Sequence, residues 1–261
     1  QSLRAGFDAD FYLDWRGNGY STLLRDYENH AGEDHSYFKK DAGGSINRFL
    51  DDYLRLLDGA KGHGYVSLIT GNHDTVRLRK TLEEAELKLV YAFLFTMPGV
   101  PFLYYGDEIG MRYLELPTKE GGYTRTGSRT PMQWSSGKNL GFSSSEPEKL
   151  YLPVDASDDA PTVAGQEGDP DSLLSTVRAL LALRHREKDL QADAAFRAVC
   201  TEPDKPFVYR RGELTLALNP SGRTLSVTLP FDVSKALYQI GEAELDGRRL
   251  SVLPQSFAVL R

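Results

Sequence analysis

The chain has 261 residues with a formal net charge of −6, and its hydrophobic share of 40% and charged share of 26% are those of a globular protein with a sizeable core. The acidic balance and the lack of a long Lys/Arg cluster argue against nucleic acid as the main partner and favour a neutral ligand. No apolar run is long enough to span a membrane, so we expect no membrane partner.

Cysteine and histidine usage argues against metal and redox chemistry. The single cysteine, Cys200, excludes an intramolecular disulfide and a thiolate zinc cluster, and its apolar surroundings predict a buried strand residue. The five histidines show no paired metal spacing, and the acidic run 155–159 lacks the spacing of a calcium loop. We therefore predict that the protein uses no metal and no cofactor.

The first predicted element is a strand over residues 5–14, where apolar and acidic side chains alternate. The alternation places Phe7 and Phe11 on one face and Asp8 and Asp10 on the other. The two aspartates are compatible with a carboxylate dyad, but a structural polar network is the simpler interpretation. Because the strand begins almost at residue 1, its sheet edge is expected to be exposed or paired with polypeptide that this sequence does not contain.

Helices and strands then alternate, which is typical of parallel βαβ units. Apolar residues at helical spacing predict a core-facing helix from Ser45. The capping-box spacing of Thr81 and Glu84 predicts that a second helix opens at Thr81 and ends before Pro98. Short β-rich runs predict buried parallel strands over 65–71 and 100–105.

The second half of the sequence changes character twice. Residues 111–170 are rich in Gly, Ser, Asp and Pro and predict a long functional loop, followed by a helix with Asp169 as N-cap. From about residue 193 short strands and turn signals predict a small antiparallel β domain, most simply a sandwich. The predicted organisation is an α/β domain over 1–190 and an all-β domain over 191–261.

Two polar clusters follow the parallel strands, at the end where the loops of such folds build active sites. Asn72-His73-Asp74 follows the strand over 65–71, and the run 104–108 follows the strand over 100–105. A carboxylate beside an imidazole suits a sugar, because Asp74 can accept hydrogen bonds from two neighbouring hydroxyls while His73 donates one. The adjacent Asp107 and Glu108 are expected to point apart rather than to share a catalytic site.

Four motifs follow one another along the sequence. The first three are 72–77 around Asn-His-Asp, 97–111 with Tyr-Tyr-Gly-Asp-Glu-Ile-Gly, and 128–134 with Arg-Thr-Pro-Met-Gln-Trp. The fourth consists of two nearby segments, 171–174 and 180–184. This succession resembles the α-amylase family of glycoside hydrolases, and within it the oligo-1,6-glucosidase and α-glucosidase group. The resemblance is strong over about residues 60–190 and rests on position alone for the β domain. With the solitary cysteine, it favours a cytoplasmic location.

The resemblance implies strands six to eight of a (β/α)₈ TIM barrel, followed by a β-sandwich. Asp74 resembles the family's third carboxylate, which distorts the sugar and stabilises the transition state. His73 resembles its neighbouring hydroxyl donor, and Arg129 resembles a substrate-subsite contact. Arg77 is a further candidate for substrate binding, and an ion pair with a loop carboxylate is an equally good interpretation of it.

The other two carboxylates that retaining hydrolysis needs have no counterpart in the sequence. The family carries its nucleophile in a Gly-Phe-Arg-Xaa-Asp motif on the fourth barrel strand, and no such motif occurs here. We therefore expect the chain alone to be inactive, and its open barrel side to be covered by a complementary N-terminal barrel half or by self-association.

The resemblance leaves the reaction open among three possibilities. The first is hydrolysis of α-glucosidic bonds in short α-glucans by the intact enzyme. The second is glucosyl transfer or isomerisation with the same triad, as in trehalose synthase. The third is a non-catalytic relative, such as the amino-acid-transporter heavy-chain ectodomains, although the retention of Asp74, His73 and Arg129 argues against it.

Overall fold

Alternating strands and helices build the first half of the protein around a parallel sheet. In the computed structural model the described residues are 3, 6–12, 19–26, 30–119 and 125–261. Its elements up to residue 190 are β1 (Ala9–Phe11), α1 (Gly19–Leu24), α2 (Ile46–Ala60), β2 (Tyr65–Ile69), α3 (Glu84–Thr96), β3 (Val100–Phe102), α4 (Val163–Gln166) and α5 (Leu173–Arg186), with short 3₁₀ turns between them. No helix in this described part is long and apolar enough to cross a bilayer.

The parallel sheet has the order β1-β2-β3, and one of its faces, called the open face, carries the half-exposed Phe11 and Phe102. The pairing aligns Phe11 with Ser67 and Ile69 with Phe102. Residues on the opposite face, such as Val66 and Leu68, are buried with the helices in the main core. On the open face Phe11 and Phe102 stay half-exposed, with ring centroids 4.9 Å apart in an edge-to-face contact. The predicted placement of Phe11 on one face of the first strand agrees with this arrangement.

Two of the predicted helix starts are displaced, and the third is confirmed. α2 begins after Ser45, whose Oγ accepts a hydrogen bond from the Asn47 N–H at 3.2 Å. The prediction that α3 opens at Thr81 was wrong, because the N-cap is Glu83, whose N–H donates to Glu86 Oε2 at 2.6 Å. Thr81 instead donates its hydroxyl to Asp34 Oδ2 at 2.6 Å, a partner far away in sequence.

The start of α5 was also predicted too early. The N-cap is Ser172, whose Oγ accepts from the Ser175 N–H at 3.2 Å. Asp169 lies one turn earlier and accepts from the Asp171 N–H at 2.9 Å. Asp169 therefore stabilises the turn that precedes α5, whereas Ser172 accepts the hydrogen bond from an N–H group in the first turn of the helix.

The remainder of the chain is antiparallel. A five-stranded sheet has the order β4-β5-β6-β11-β8, and a three-stranded sheet has the order β7-β10-β9. The strands are β4 (Phe196–Cys200), β5 (Phe207–Arg211), β6 (Leu214–Asn219), β7 (Leu225–Thr228), β8 (Ala236–Ile240), β9 (Ala243–Asp246), β10 (Arg249–Val252) and β11 (Ser256–Leu260). Cys200 is buried at the end of β4, as predicted. The short, charged strands β9 and β10 were not predicted.

The five-stranded sheet contributes to two cores, one on each face. Phe207 and Tyr209 of β5 belong to the main core with α2, α3 and α5. Val208, between them, belongs to a second core with Leu250 and Val252 of the three-stranded sheet. This alternation follows from the two-residue period of a strand. The core is therefore continuous across residue 190, where the sequence suggested a boundary.

Two buried arginines join the helical and antiparallel layers at the end of α3. Arg184 donates to the carbonyls of Phe95, Met97 and Gly99, with the shortest bond at 2.6 Å. Arg211, fully buried, donates to the carbonyls of Thr96, Gln191, Ala194 and Ala195. Positive charge is favourable at a helix C-terminus, where carbonyls lack partners within the helix.

Candidate active site

An Asx turn immediately after β2 fixes the position of Asp74. Asn72 Oδ1 accepts hydrogen bonds from the N–H groups of Asp74 at 2.8 Å and Thr75 at 3.0 Å. Thr75 Oγ1 in turn accepts from the Asn72 N–H at 2.8 Å. Because these bonds hold the backbone locally, the Asp74 side chain projects from a fixed turn at the carboxyl end of the parallel sheet.

Two arginines hold the Asp74 carboxylate. Arg125 Nη1 and Arg129 Nη2 each donate to Asp74 Oδ1 at 2.8 Å. Arg129 Nε also donates to the His73 carbonyl at 2.8 Å, so one guanidinium binds both residues of the turn. His73 Nε2 lies 3.3 Å from Asp74 Oδ2, and its side chain is largely exposed. The structure thus brings Asp74, His73 and Arg129 together.

The arginines keep Asp74 ionised. Partial burial acts to raise the pKa of Asp74, but the hydrogen bonds from Arg125 and Arg129 and the charge of His73 outweigh it, so the pKa lies below its ordinary value of 3.8. At neutral pH the site therefore presents a carboxylate that accepts hydrogen bonds and stabilises positive charge.

We predict that the Asp74 titration depends on Arg129. The folded-state pKa lies below the unfolded value of about 3.9, so the ionised carboxylate stabilises the fold above that pH and the contribution is lost as pH falls through the lowered pKa. Carboxyl-carbon NMR titration of the chain should give Asp74 a pKa below 3.8, and Arg129→Gln should raise it. An unchanged pKa in Arg129→Gln would show that the guanidinium is not bonded to Asp74 in solution.

Arg77 lies beneath the loop rather than on its surface, with only 2% of the residue exposed. Its Nη1 donates to Asp107 Oδ1 and to the Tyr105 carbonyl, both at 2.8 Å. Its guanidinium carbon lies 5.0 Å from the centroid of the Tyr104 ring. Asp107 Oδ2 accepts from Thr70 Oγ1 at 2.7 Å, which links the ends of β2 and β3. The loop ion pair considered for Arg77 from the sequence is therefore present.

Asp107 and Glu108 diverge, as expected of neighbours, although they lie in a 3₁₀ turn and not in an extended segment. Asp107 is buried against Arg77. Glu108 instead lines a cavity that it shares with Arg129. Burial raises the pKa of Glu108, and the nearby Asp107 charge acts in the same direction while backbone hydrogen bonds oppose it.

Several predicted features add nothing to this site. Asp10 lies on the exposed strand β1 and Asp8 directly precedes it, while Trp15, whose ring type suits either sugar stacking or packing, lies outside the described residues. No group of three His, Cys, Asp or Glu side chains that could hold a metal occurs among the residues described. Sequence reasoning missed Arg125, whose only signal was its position four residues before Arg129.

The comparison with protein families matches residues 45–193 to the α-amylase catalytic domain, which is more than half of the chain. The chain belongs to the α-amylase family. Structures of a trehalulose synthase and of an isomaltulose synthase from Erwinia rhapontici superimpose with TM-scores of 0.71 and 0.70 at 22% and 19% identity. These structures show the fold, and the chain covers 46% and 48% of their lengths. The fold is that of the family's TIM-barrel catalytic domain together with antiparallel sheets.

The relatives that are similar to this chain in sequence include family members named for different activities. A probable oligo-1,6-glucosidase of Bacillus subtilis is 31% identical over 57% of this chain and 32% of its own length. A salivary α-glucosidase of Aedes aegypti is 31% identical over 70% of this chain and 34% of its own length. A trehalose synthase/amylase of Mycobacterium tuberculosis is 40% identical over 39% of this chain and 17% of its own length. The chain thus spans about a third or less of these relatives.

Proposed function

We propose that this chain belongs to an enzyme that hydrolyses α-glucosidic bonds of short α-glucans, and that Asp74 stabilises its transition state. The observation that carries the proposal is the ionised Asp74 carboxylate, held by Arg125 and Arg129 on a fixed turn at the end of β2. Positive charge develops on the sugar ring in this reaction, and a preorganised carboxylate stabilises it without reorganisation.

The neighbouring groups have complementary roles in this proposal. The exposed His73 ring donates a hydrogen bond to a sugar hydroxyl next to the one that Asp74 binds. Arg129 positions the carboxylate and presents its guanidinium to the adjoining cavity. Arg77 supports the loop from below through Asp107 and Tyr105, so its contribution is structural positioning rather than contact with sugar.

We infer further that residues 1–190 form the carboxyl-terminal part of the barrel, strands six to eight, and that residues 191–261 form a β-sandwich domain. The three adjacent parallel strands with Asp74 after the middle one, and the two sheets that share a buried cluster, support this organisation. The nucleophile and the general acid would then be carried on polypeptide outside these 261 residues.

The 261-residue chain alone is expected to show no glycosidase activity, since retaining hydrolysis needs two carboxylates besides Asp74. The measurement is release of glucose from maltose and isomaltose by the purified chain, with a full-length α-glucosidase as positive control. Measurable turnover that is lost in Asp74→Asn would contradict the proposed division of the catalytic groups.

The open face of the parallel sheet is the proposed contact for the remaining barrel strands. Without them, half-exposed Phe11 and Phe102 are expected to drive self-association of the chain. Sedimentation velocity should show oligomers that Phe11→Asp converts to a smaller species, whereas Leu245→Asp, on the exposed strand β9, should leave them unchanged. A wild-type chain that sediments as a compact monomer would count against this contact.

A second candidate is glucosyl transfer or isomerisation with the same carboxylate. We keep this second candidate because a trehalose synthase/amylase has the highest sequence identity to the chain among the relatives described above. Product analysis of the assembled enzyme with maltose separates the two: glucose alone indicates hydrolysis, and trehalose indicates isomerisation.

A further inference from the structure

Arg25 bridges the two ends of the segment that carries Asp74. It lies directly after α1, and its side chain is partly buried. Its Nε donates to the Val76 carbonyl at 2.8 Å, and its Nη2 donates to the Thr70 carbonyl. Residues 71–75, which we call the Asp74 loop, run between these two carbonyls. One side chain next to α1 therefore binds both ends of the loop.

A third hydrogen bond fixes the orientation of the Arg25 guanidinium. Its Nη1 donates to the Tyr20 hydroxyl at 3.1 Å, and this hydroxyl donates to the Ile69 carbonyl at 2.8 Å. Tyr20 is buried in the main core, and Ile69 is the last residue of β2. Gly71 leaves room for the guanidinium, because a Cβ atom there would lie only 3.2 Å from Arg25 Nη2. The planar fork makes all three bonds at once, which the single ammonium of a lysine could not do.

This loop is held differently in its middle and at its ends. In the middle, the His73 carbonyl accepts from Arg129, and the Thr75 carbonyl accepts from Ser128 Oγ at 2.5 Å. Both donors belong to the long segment that follows β3. The bonds within the Asx turn fix the shape of the loop but connect it to no other element. Arg25 connects the two ends to α1 and so anchors the base of the loop to the core.

We propose that Arg25 is a positioning residue for the proposed reaction, and that it sets the place of the Asp74 carboxylate relative to the sugar ring. Its bonds go to backbone carbonyls and to Tyr20, whereas Arg125 and Arg129 hold the carboxylate itself. Ionisation and placement of the carboxylate thus come from different arginines. A displacement of about 1 Å can cost about 10²-fold in rate, so a fixed loop base matters for turnover. The inference rests on the proposed function, because Arg25 acts through Asp74.

The first test uses the chain alone and does not depend on catalysis. Arg25→Met removes the three donors, and it should speed amide hydrogen exchange at Asp74 and Thr75 at least about tenfold, measured by NMR. Arg184→Met is the matched control, because Arg184 also donates to backbone carbonyls, but at the end of α3. It should leave exchange at both amides near the wild-type rate, because loop amides exchange through local opening.

The second test is a double-mutant cycle in the enzyme assembled from the chain and the remaining barrel strands. Arg25→Met should lower kcat by about 10²-fold and change KM by less than about threefold. Arg25→Lys, which keeps the charge but not the fork, should recover only a small part of the loss. In the Asp74→Asn background, Arg25→Met should lower kcat no further, because the group that it positions is already disabled. An arginine with a merely structural role would lower kcat equally in both backgrounds.

The outcomes distinguish this inference from the proposed function. Unchanged exchange at Asp74 and Thr75 in Arg25→Met would mean that the side chain does not hold the loop, so the inference would be wrong while the role of Asp74 stands. An equal loss of kcat in both backgrounds would overturn it as well. If Asp74→Asn turns over like wild type, the proposed function falls and the inference falls with it. Faster exchange, with a loss of kcat confined to the enzyme that retains Asp74, supports both.

Circular dichroism checks that each variant is folded. Arg25→Lys takes the place of Arg25→Met in both tests if the methionine variant does not fold, since lysine also cannot bridge the Thr70 and Val76 carbonyls while bonding to Tyr20.

Discussion

Asp74→Asn is expected to lower kcat of the assembled enzyme by about 10³-fold, the upper end of the effect of removing one preorganised stabilising group. Asparagine keeps the size and the Asx-turn backbone at this position but removes the charge that Arg125 and Arg129 hold in place. The neutral amide cannot stabilise positive charge on the sugar ring. Steady-state kinetics on maltose with the chain bound to the remaining barrel strands measures the effect.

The control for this variant should also replace a carboxylate that is paired with an arginine. Asp232→Asn does so, because Asp232 Oδ1 lies 2.8 Å from Arg248 Nε on the antiparallel region, away from the parallel sheet. It should leave kcat unchanged, and both variants should assemble like wild type. Turnover of Asp74→Asn within a few-fold of wild type would remove Asp74 from the mechanism.

Arg211→Met is expected to lower the free energy of unfolding by about 3–5 kcal/mol, a large part of the stability of an ordinary domain. The side chain is fully buried and donates to four carbonyls, those of Thr96, Gln191, Ala194 and Ala195. Methionine fills the volume but leaves these acceptors without a donor. Burial, with the charge of Arg184 in addition, lowers the pKa of Arg211 to about 10, so the lost donor is charged at neutral pH.

The adjacent residue provides the control. Arg210 points to the other face of β5 and pairs with the exposed Glu213 at 3.4 Å. Arg210→Met should cost less than about 1 kcal/mol, as is typical of surface ion pairs. Urea unfolding followed by circular dichroism compares the two variants. Equal stabilities would mean that the carbonyls around Arg211 find other partners, and that the two layers do not depend on this side chain.

Local patterns predicted most of the elements and failed where a distant residue competed. The start of α2 at Ser45 was correctly predicted from its apolar spacing, and the capping partner of Ser45, Asn47, lies only two residues away. Thr81 has an equally good capping signal, but its hydroxyl bonds to Asp34, 47 positions earlier, and Glu83 caps α3 instead. Sequence spacing cannot distinguish these cases, because the competing acceptor is brought close only by folding.

In the candidate site, too, the features that depend on neighbouring residues were predictable and the long-range contacts were not. The turn that carries Asp74 follows directly from Asn72 and Thr75, which are its neighbours, and its place after a parallel strand was predictable from the pattern. Arg125 lies 51 positions from Asp74 and was not predicted, although it bonds to the same oxygen as Arg129. Nothing in the sequence indicated that the ring of Phe142 remains about half-exposed.

The sequence by itself therefore determined the family, the order of strands and helices, and the loop that presents Asp74, because each depends on residues a few positions apart. Only the tertiary structure decided which arginines hold the carboxylate, that Arg77 is buried beneath the loop, and that one core runs across residue 190. These features depend on long-range contacts, whose partners are selected by packing and by the need to pair buried charge and backbone carbonyls.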